Sequence, residues 1–219
     1  MVQVFPSILA ADGGNLENEA KRLKEIGAEG IHIDIMDGHF VPNLTFGPHI
    51  VAAINRSTDL FLEVHLMMYN PFDYVERFIE AGADRVIFHF EATEHVEDTL
   101  KYIRNCNAQA GLAFNPDTTF EMIPKFLDKC DLILLMTVNP GFGGQAFLPE
   151  MVEKIRMTHD LCQKRNLAKL EIEVDGGIND KTAALCREAG ATLLVSGNYL
   201  FKAPDINVAI QSLKTGKSS

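Results

Sequence analysis

The sequence has little of what marks disulfide-bonded, thiolate-metal or membrane proteins. It contains no tryptophan, and its four cysteines lie between positions 106 and 186 without a C-x-x-C pair. This spacing disfavours a disulfide framework and a thiolate metal site, so we expect reduced and mostly buried thiols. No apolar run approaches the length of a membrane span, and the N-terminal stretch MVQVFPSILAADGG does not resemble a signal peptide.

Positive charge is also scarce. The chain has 20 Lys and Arg against 30 Asp and Glu, which gives a formal charge of −10, and it contains no basic run. An acidic chain of this kind is a poor partner for nucleic acid or for an anionic membrane surface. These absences predict a soluble, cytoplasmic protein.

The length and composition fit one globular unit. The 219 residues are 47% hydrophobic, which is enough for one sizeable core. We therefore expect a single domain over residues 1–219, with the last few residues forming a disordered tail.

Apolar runs and helical patterns alternate along the whole chain. Between the runs lie segments with helical spacing, such as 15–28, where Leu16, Ala20, Leu23 and Ile26 form one stripe, and 72–83. The alternation predicts a parallel sheet, and eight units in this length predict a (β/α)₈ TIM barrel. A doubly wound open sheet is the competing architecture, but no G-x-G-x-x-G follows the first run. The eight runs cover 4–10, 30–36, 60–67, 85–91, 109–115, 132–138, 170–176 and 192–197.

Ionisable side chains gather near the ends of three of these strands. In GIHIDIM the three isoleucines share one face, while His32 and Asp34 share the other. His65 lies near the end of the third strand and Asp175 near the end of the seventh. Each alone is more often a hydrogen-bonded core histidine or a capping aspartate. Several buried together need a compensating charge, which favours a divalent cation: zinc, or else manganese, iron(II) or cobalt.

Further charged residues alternate on the same faces. Glu63, Glu171 and Glu173 are interpreted as groups that orient the metal ligands or fill a polar layer. For His89 and Glu91 on the fourth strand, the pattern favours a purely structural role.

Glycine-rich loops follow the sixth, seventh and eighth strands, at 139–147, 175–177 and 196–198. A single loop of this kind is most often only a turn. Three in consecutive units favour a phosphorylated ligand held by backbone amides, because no P-loop lysine is present. Met36, Met67 and Met136 fall on the faces of the candidate ligands, and the pattern alone favours core packing for them.

The motifs PSILAAD (6–12), HIDIMDGHFVPN (32–43), HLM (65–67), MTVNPGFGGQ (136–145), EVDGG (173–177) and SGN (196–198) stand in a specific order. Over nearly the whole chain they resemble the ribulose-phosphate 3-epimerase family. Asn198 departs from the serine that is common there, and Glu63 also differs from the family pattern.

The resemblance implies a TIM barrel that binds one divalent metal ion, zinc being favoured, and no organic cofactor. It implies that Asp34 and Asp175 are the acid–base pair and that three methionines cap the intermediate. A homo-oligomer is also expected. The metal ligands implied are His32, Asp34, His65 and Asp175; the substrate contacts implied are Ser7, His65, Gly141, Phe142, Gly143, Gly144, Asp175, Gly176, Gly177, Gly197 and Asn198; the cap implied is Met36, Met67 and Met136.

The activity that the resemblance implies is inversion at C3 of D-ribulose 5-phosphate to give D-xylulose 5-phosphate through an enediolate. Three alternatives stay open at this point. A hexulose 6-phosphate such as allulose 6-phosphate is a possible substrate of the same site. Aldol cleavage is disfavoured because no lysine follows Asp34, and a non-catalytic phosphosugar-binding barrel is disfavoured by the intact pair of aspartates.

Overall fold

Eight parallel strands form one sheet in the computed structural model, which describes residues 2–216. Their hydrogen-bonded order is β1-β8-β7-β6-β5-β4-β3-β2, and a parallel bridge between Ser7 and His32 brings the two ends of this order together. The sheet is thus a nearly closed barrel, as the sequence predicts. The strands are β1 (Gln3–Pro6), β2 (Gly30–Met36), β3 (Phe61–Met67), β4 (Arg85–His89), β5 (Gln109–Phe114), β6 (Leu132–Met136), β7 (Glu171–Asp175) and β8 (Leu193–Ser196).

Helices connect the strands in every unit but the fifth, where β5 and β6 are joined by a 3-10 helix, Phe120–Lys125, that contains Pro124. Proline lacks the N–H that an α-helix needs at an interior position, which explains the tighter element. The α-helices are α1 (Leu16–Glu25), α2 (Pro48–Ser57), α3 (Val75–Glu80), α4 (Val96–Asn105), α5 (Met151–Lys164), α6 (Asp180–Glu188), α7 (Asn198–Phe201) and α8 (Ile206–Thr215).

The two faces of each strand have different surroundings. Ile31, Ile33 and Ile35 point outward into the large core between sheet and helices, as their spacing predicts. Inside the barrel, a smaller apolar cluster is built mainly by β6 and β8, with Leu134 and Val195 among its members. The rest of the interior is polar, and this polar half carries the site residues.

Three predicted segments have different bounds in the structure. The run 4–10 gives a strand only to Pro6, followed by the 3-10 helix Ile8–Ala10, and the run 85–91 ends at His89, followed by the 3-10 helix Phe90–Ala92. In 72–83, a 3-10 turn at Pro71–Asp73 precedes α3. The helical spacing of 72–83 predicts that Phe72 shares an apolar stripe with Val75 and Phe78, but Phe72 lies before α3 and stacks on Tyr102, with ring centroids 4.6 Å apart.

Other expectations from the sequence have mixed outcomes. In α1, Leu16, Ala20 and Leu23 are buried as predicted. All four cysteines are free thiols, three of them buried. Within residues 2–216, no helix combines the length and the hydropathy of a membrane span. The predicted disordered tail falls on residues 217–219, which lie outside the described part of the chain.

Candidate active site

Four ionisable side chains from three strands meet at the carboxyl end of the barrel. His32 and Asp34 come from the inner face of β2, His65 from β3 and Asp175 from the last position of β7. One donor atom from each of them lies within 4.8 Å of all the others. The sequence prediction that these four residues gather is therefore confirmed as geometry.

Three of the four donors have the spacing of ligands on a tetrahedral cation, and Asp175 lies slightly farther away. His32 Nε2 and His65 Nδ1 are 3.3 Å apart, and each is 3.3 Å from Asp34 Oδ1. Asp175 Oδ2 lies 3.8 Å and 3.9 Å from the same two nitrogens. Ligands at about 2.0–2.1 Å from one tetrahedral ion are separated by about 3.3–3.4 Å from each other. The donor set, two imidazole nitrogens and two carboxylate oxygens, suits zinc and several other divalent metals.

The electrostatics of the cluster also call for positive charge. Burial acts to lower the pKa of His32, but its carboxylate neighbours, Asp34 first, outweigh this and raise that pKa well above its usual value. Burial together with repulsion from Asp34 raises the pKa of Asp175 to about 7. Burial lowers the pKa of His65 to about 4, so this ring is neutral. His32, and Asp175 up to about neutral pH, thus retain protons in the protein alone, whereas His32 and His65 hold the pKa of Asp34 well below its usual value despite burial. A cation in the cluster would replace the retained protons.

A layer of charges lies beneath the cluster inside the barrel. Glu63 accepts hydrogen bonds from His32 Nδ1 (2.8 Å) and from Arg85 Nη1 (2.7 Å), and Arg85 also pairs with Glu171. Glu173 Oε1 lies 3.3 Å from His32 Nδ1, and burial, followed by repulsion from Glu63, raises the pKa of Glu173. The orienting role interpreted for Glu63 from the sequence agrees with these contacts.

Asp34 is held from two sides. Its Oδ2 accepts a hydrogen bond of 2.7 Å from Ser7 Oγ, at the bridge that closes the barrel. Its backbone carbonyl accepts a hydrogen bond of 2.6 Å from Thr45 Oγ1, and Thr45 Oγ1 in turn accepts one from Met36 N. The first strand and the loop after β2 therefore fix the carboxylate in the cluster.

A cavity of about 1120 Å³ opens above the cluster. Asp34 and Asp175 line it, as do Ser7 and the three methionines predicted as a cap, Met36, Met67 and Met136. His32 and His65 are fully buried and are not among the lining residues. The two carboxylates are thus the members of the cluster that face the cavity.

The three glycine loops form another part of the same cavity wall, which includes Gly141, Phe142, Gly143, Gly144, Gly176, Gly177, Gly197 and Asn198. Gly144 (φ 78°) and Gly177 (φ 66°) have left-handed backbones, and a Cβ on them would lie 2.5 Å from Asn198 Nδ2 and from Phe147 N. The hydroxyl of Thr182 donates a hydrogen bond of 2.9 Å to the carbonyl of Gly177. Among residues 2–216, none of the recorded hydrogen bonds uses the N–H of Gly143, Gly144 or Gly177. These groups can therefore bind an anion.

Two features of the site were not identified from the sequence. Arg85, almost fully buried, compensates the glutamate layer, and His89 is in hydrogen-bond contact with His65. The available signal was the alternation of Arg85, Ile87 and His89, which directs the first and last of them into the barrel.

Solved structures of low sequence identity share the fold. The structure of KGPDC from Streptococcus mutans matches with a TM-score of 0.72 at 14% identity, over 99% of this chain and 97% of that one. Orotidine 5'-phosphate decarboxylase from Pyrococcus horikoshii OT3 matches with a TM-score of 0.70, also at 14% identity, over 98% of each chain. At this identity the likeness concerns the barrel fold alone.

Sequence relatives are much more similar. The ribulose-phosphate 3-epimerase of Chlamydia pneumoniae is 57% identical over 206 residues, which cover 94% of this chain and 90% of that protein. The ribulose-phosphate 3-epimerase of Bacillus subtilis (strain 168) is 46% identical over 217 residues, which cover 99% and 100%. Both are named as epimerases, a class of isomerase, and the model of the "Ribulose-phosphate 3 epimerase family" matches residues 3–201. The chain therefore belongs to the ribulose-phosphate 3-epimerase family.

Proposed function

We propose that this enzyme interconverts D-ribulose 5-phosphate and D-xylulose 5-phosphate by inverting the configuration at C3. The observation that carries the proposal is the pair of carboxylates, Asp34 and Asp175, which belong to one four-residue cluster and face one cavity. Family membership supports the same reaction.

We further propose that His32, Asp34, His65 and Asp175 hold one divalent cation, with zinc favoured by the donor set. A cation held there supplies Lewis-acid stabilisation of negative charge on the substrate oxygens. No organic cofactor is needed, because the reaction has no net redox change.

The two aspartates move the proton. C3 lies next to the C2 ketone, so removing its proton leaves a planar enediolate. One aspartate takes this proton as a general base, and the other, already protonated, returns a proton to the opposite face. The roles are exchanged in the reverse direction. Ser7, which donates to Asp34 Oδ2, orients one of the two carboxylates for this transfer.

The remaining cavity residues bind and protect the substrate. The glycine loops donate backbone N–H groups to the phosphate. Met36, Met67 and Met136 cover the reacting carbons with thioethers, which carry no proton that could be donated to the wrong atom. His65 is proposed to act mainly through the metal, because it is fully buried.

A 3-epimerase of a hexulose 6-phosphate, such as allulose 6-phosphate, is the second candidate. The cavity volume of about 1120 Å³ exceeds what a pentose phosphate needs. Turnover of the two substrates under one set of conditions distinguishes the candidates. Equal or higher kcat/KM for the six-carbon substrate would replace the first assignment.

The decisive variant is Asp175→Asn, which keeps the side-chain volume and removes a proton-transfer group. We expect turnover to fall by at least about a thousandfold, as for loss of an essential acid–base group. Asp160→Asn makes the same chemical change at an exposed position of α5, and this variant should retain full activity. The measurements are the coupled epimerase assay and incorporation of solvent deuterium at C3 by NMR.

Turnover of Asp175→Asn near that of the unmodified enzyme would reject the two-aspartate scheme. Absence of deuterium from C3 in the unmodified enzyme during incubation with substrate would instead favour a non-catalytic phosphosugar-binding protein.

Metal dependence is tested separately by elemental analysis of the purified protein, followed by chelation and titration with zinc, manganese, iron(II) or cobalt. We expect about one ion per chain, loss of activity on chelation and recovery on add-back. Full activity of a verified metal-free sample would contradict the proposal. A cytoplasmic location and a homo-oligomer remain predictions.

A further inference from the structure

A second chain of buried polar groups leads away from His65. Its Nε2 lies 2.9 Å from Nε2 of His89, and Nδ1 of His89 lies 3.3 Å from Oε2 of Glu91. Both imidazoles are fully buried, and their rings stack with centroids 5.0 Å apart. The sequence favoured a purely structural role for His89 and Glu91, but this contact with a proposed metal ligand suggests more.

The far end of this chain is the carboxylate of Glu91, which acts as a hydrogen-bond acceptor. Glu91 Oε1 accepts hydrogen bonds from Asn115 N (2.9 Å) and from Thr118 Oγ1. The loop that carries these donors is fixed by Lys154 of α5, whose Nζ donates to the carbonyls of Pro116 and Thr118. An ionised carboxylate only accepts hydrogen bonds. Its other oxygen, Oε2, therefore requires a proton on Nδ1 of His89.

That requirement determines the tautomer of both histidines. With its proton on Nδ1, neutral His89 presents the lone pair of Nε2 to His65. His65 must then carry its own proton on Nε2, and the lone pair of its Nδ1 is left facing Asp34 Oδ1 at 3.3 Å. Among neutral rings, this is the arrangement in which the Glu91–His89 contact and the His89–His65 contact are both hydrogen bonds.

We propose that Glu91 and His89 are positioning residues that hold His65 in the tautomer needed by the cation, with the Nδ1 lone pair directed into the cluster. The proposal deepens the proposed function and rests on it where it takes His65 as a ligand. The tautomer itself is a property of the metal-free chain. His32 uses the other ring nitrogen toward the cluster, because its Nδ1 faces Glu63 and its Nε2 faces Asp34.

The sharpest test is Glu91→Gln, which keeps the shape of the side chain. Asn115 N can only donate, so the amide oxygen will take its position, and the amide NH₂ will face His89 Nδ1. His89 must then move its proton to Nε2, and His65 must move its proton to Nδ1, toward the cluster. The variant should reverse both tautomers with little change of volume.

The readout is two-dimensional ¹H–¹⁵N NMR of histidine-labelled, metal-free protein. In the unmodified chain we expect His65 to be protonated on Nε2, and in Glu91→Gln on Nδ1. Glu97→Gln makes the same change at an exposed position of α4 and should leave the tautomers of both histidines unchanged. A second variant, His89→Leu, removes the acceptor and should give mixed tautomers for His65, whereas His89→Gln restores an acceptor and should largely rescue the single form.

Zinc affinity, measured by competition with a chelator, should fall about 10- to 100-fold in Glu91→Gln and His89→Leu. An Nε2-protonated His65 in Glu91→Gln, or an Nδ1-protonated His65 in the unmodified protein, would overturn the inference. If the unmodified protein binds no divalent metal but its tautomers behave as expected, the positioning chain stands and the metal proposal fails. Circular dichroism and thermal unfolding of the metal-free variants identify any that do not fold.

Discussion

At the scale of single residues, the protonation of the site histidines depends on which neighbouring side chains can only accept hydrogen bonds and which can only donate them. Glu63 lies between two donors, His32 Nδ1 at 2.8 Å and Arg85 Nη1 at 2.7 Å, and it is fully buried. Since arginine cannot accept a hydrogen bond, and a carboxylate cannot donate one, the proton of His32 stays on Nδ1. The nitrogen of His32 that would give up its proton to a cation is therefore Nε2, which faces the cluster.

Glu63→Gln tests this view of His32. The amide oxygen will face Arg85, so the NH₂ group will face His32 Nδ1 and disfavour a proton there. Glu173 Oε1, 3.3 Å from the same nitrogen, remains as an acceptor, so zinc affinity should fall only to the lower end of the range expected for Glu91→Gln, about tenfold. Loss of one buried charge should also lower the free energy of unfolding by about 1–3 kcal/mol.

Chelator competition and urea unfolding measure the two effects of Glu63→Gln. Glu153→Gln on α5 is the control, because its carboxylate forms an exposed pair with Arg156 and lies far outside the cluster. A zinc affinity in Glu63→Gln equal to that of the control would mean that Glu63 does not orient His32.

The sequence was sufficient to identify the four donors, because strand alternation fixes which face a side chain occupies. It was not sufficient to identify the nitrogen that each histidine uses. That choice depends on neighbours from other strands, such as Glu63 beside His32 and His89 beside His65. The same holds for Arg85, whose function follows only from three-dimensional proximity to the glutamates of β3 and β7.

At the scale of secondary-structure elements, the order of strands and the glycine loops could be predicted, because periodicity and turn residues are local signals. The early end of β1 could not, because it depends on how the segment packs after the strand ends. The 3-10 helix before β6 was not predicted either, although Pro124 is a local signal against an α-helix there. The joining of two loops above the cavity was also not foreseen. Asn43 Nδ2 donates to the carbonyl of Gly141 at 2.8 Å, which links the loop after β2 to residues 139–147.

Gly144→Ala tests the contribution of the glycine loops. A Cβ there would lie 2.5 Å from Asn198 Nδ2, and the backbone has φ 78°, so the loop or Asn198 must move. Such strain costs about 1–3 kcal/mol, and we expect KM for the phosphorylated substrate to rise about tenfold or more with a smaller change in kcat. Gly13→Ala is the control, because its Cβ would meet nothing within 4 Å. Unchanged KM in Gly144→Ala would argue that the phosphate binds elsewhere.

At the scale of the whole molecule, the charge of the chain opposes its proposed substrate. The formal charge is −10, and the cavity wall includes the carboxylates of Asp34, Asp175 and Asp205. Lys202 is the one basic side chain among the described residues that line the cavity. Lys202 follows directly after α7, and its backbone N–H donates to the carbonyl of Asn198 at 3.2 Å, one helical turn earlier, which places the two residues on the same side of this turn. An ammonium group in this position offsets the repulsion of a phosphate dianion.

Lys202→Gln should therefore slow capture of the substrate and leave the chemical step intact. We expect kcat/KM to fall about threefold to tenfold at low ionic strength, with kcat nearly unchanged, and the difference to shrink as salt screens the charge. Lys21→Gln on exposed α1 changes the net charge equally but lies outside the cavity wall, so its kcat/KM should stay close to that of the unmodified enzyme. Steady-state kinetics over a range of salt concentrations compare the three proteins. Equal loss in both variants would mean that net charge alone governs capture, and no loss in either would mean that the glycine loops attract the phosphate without help from Lys202.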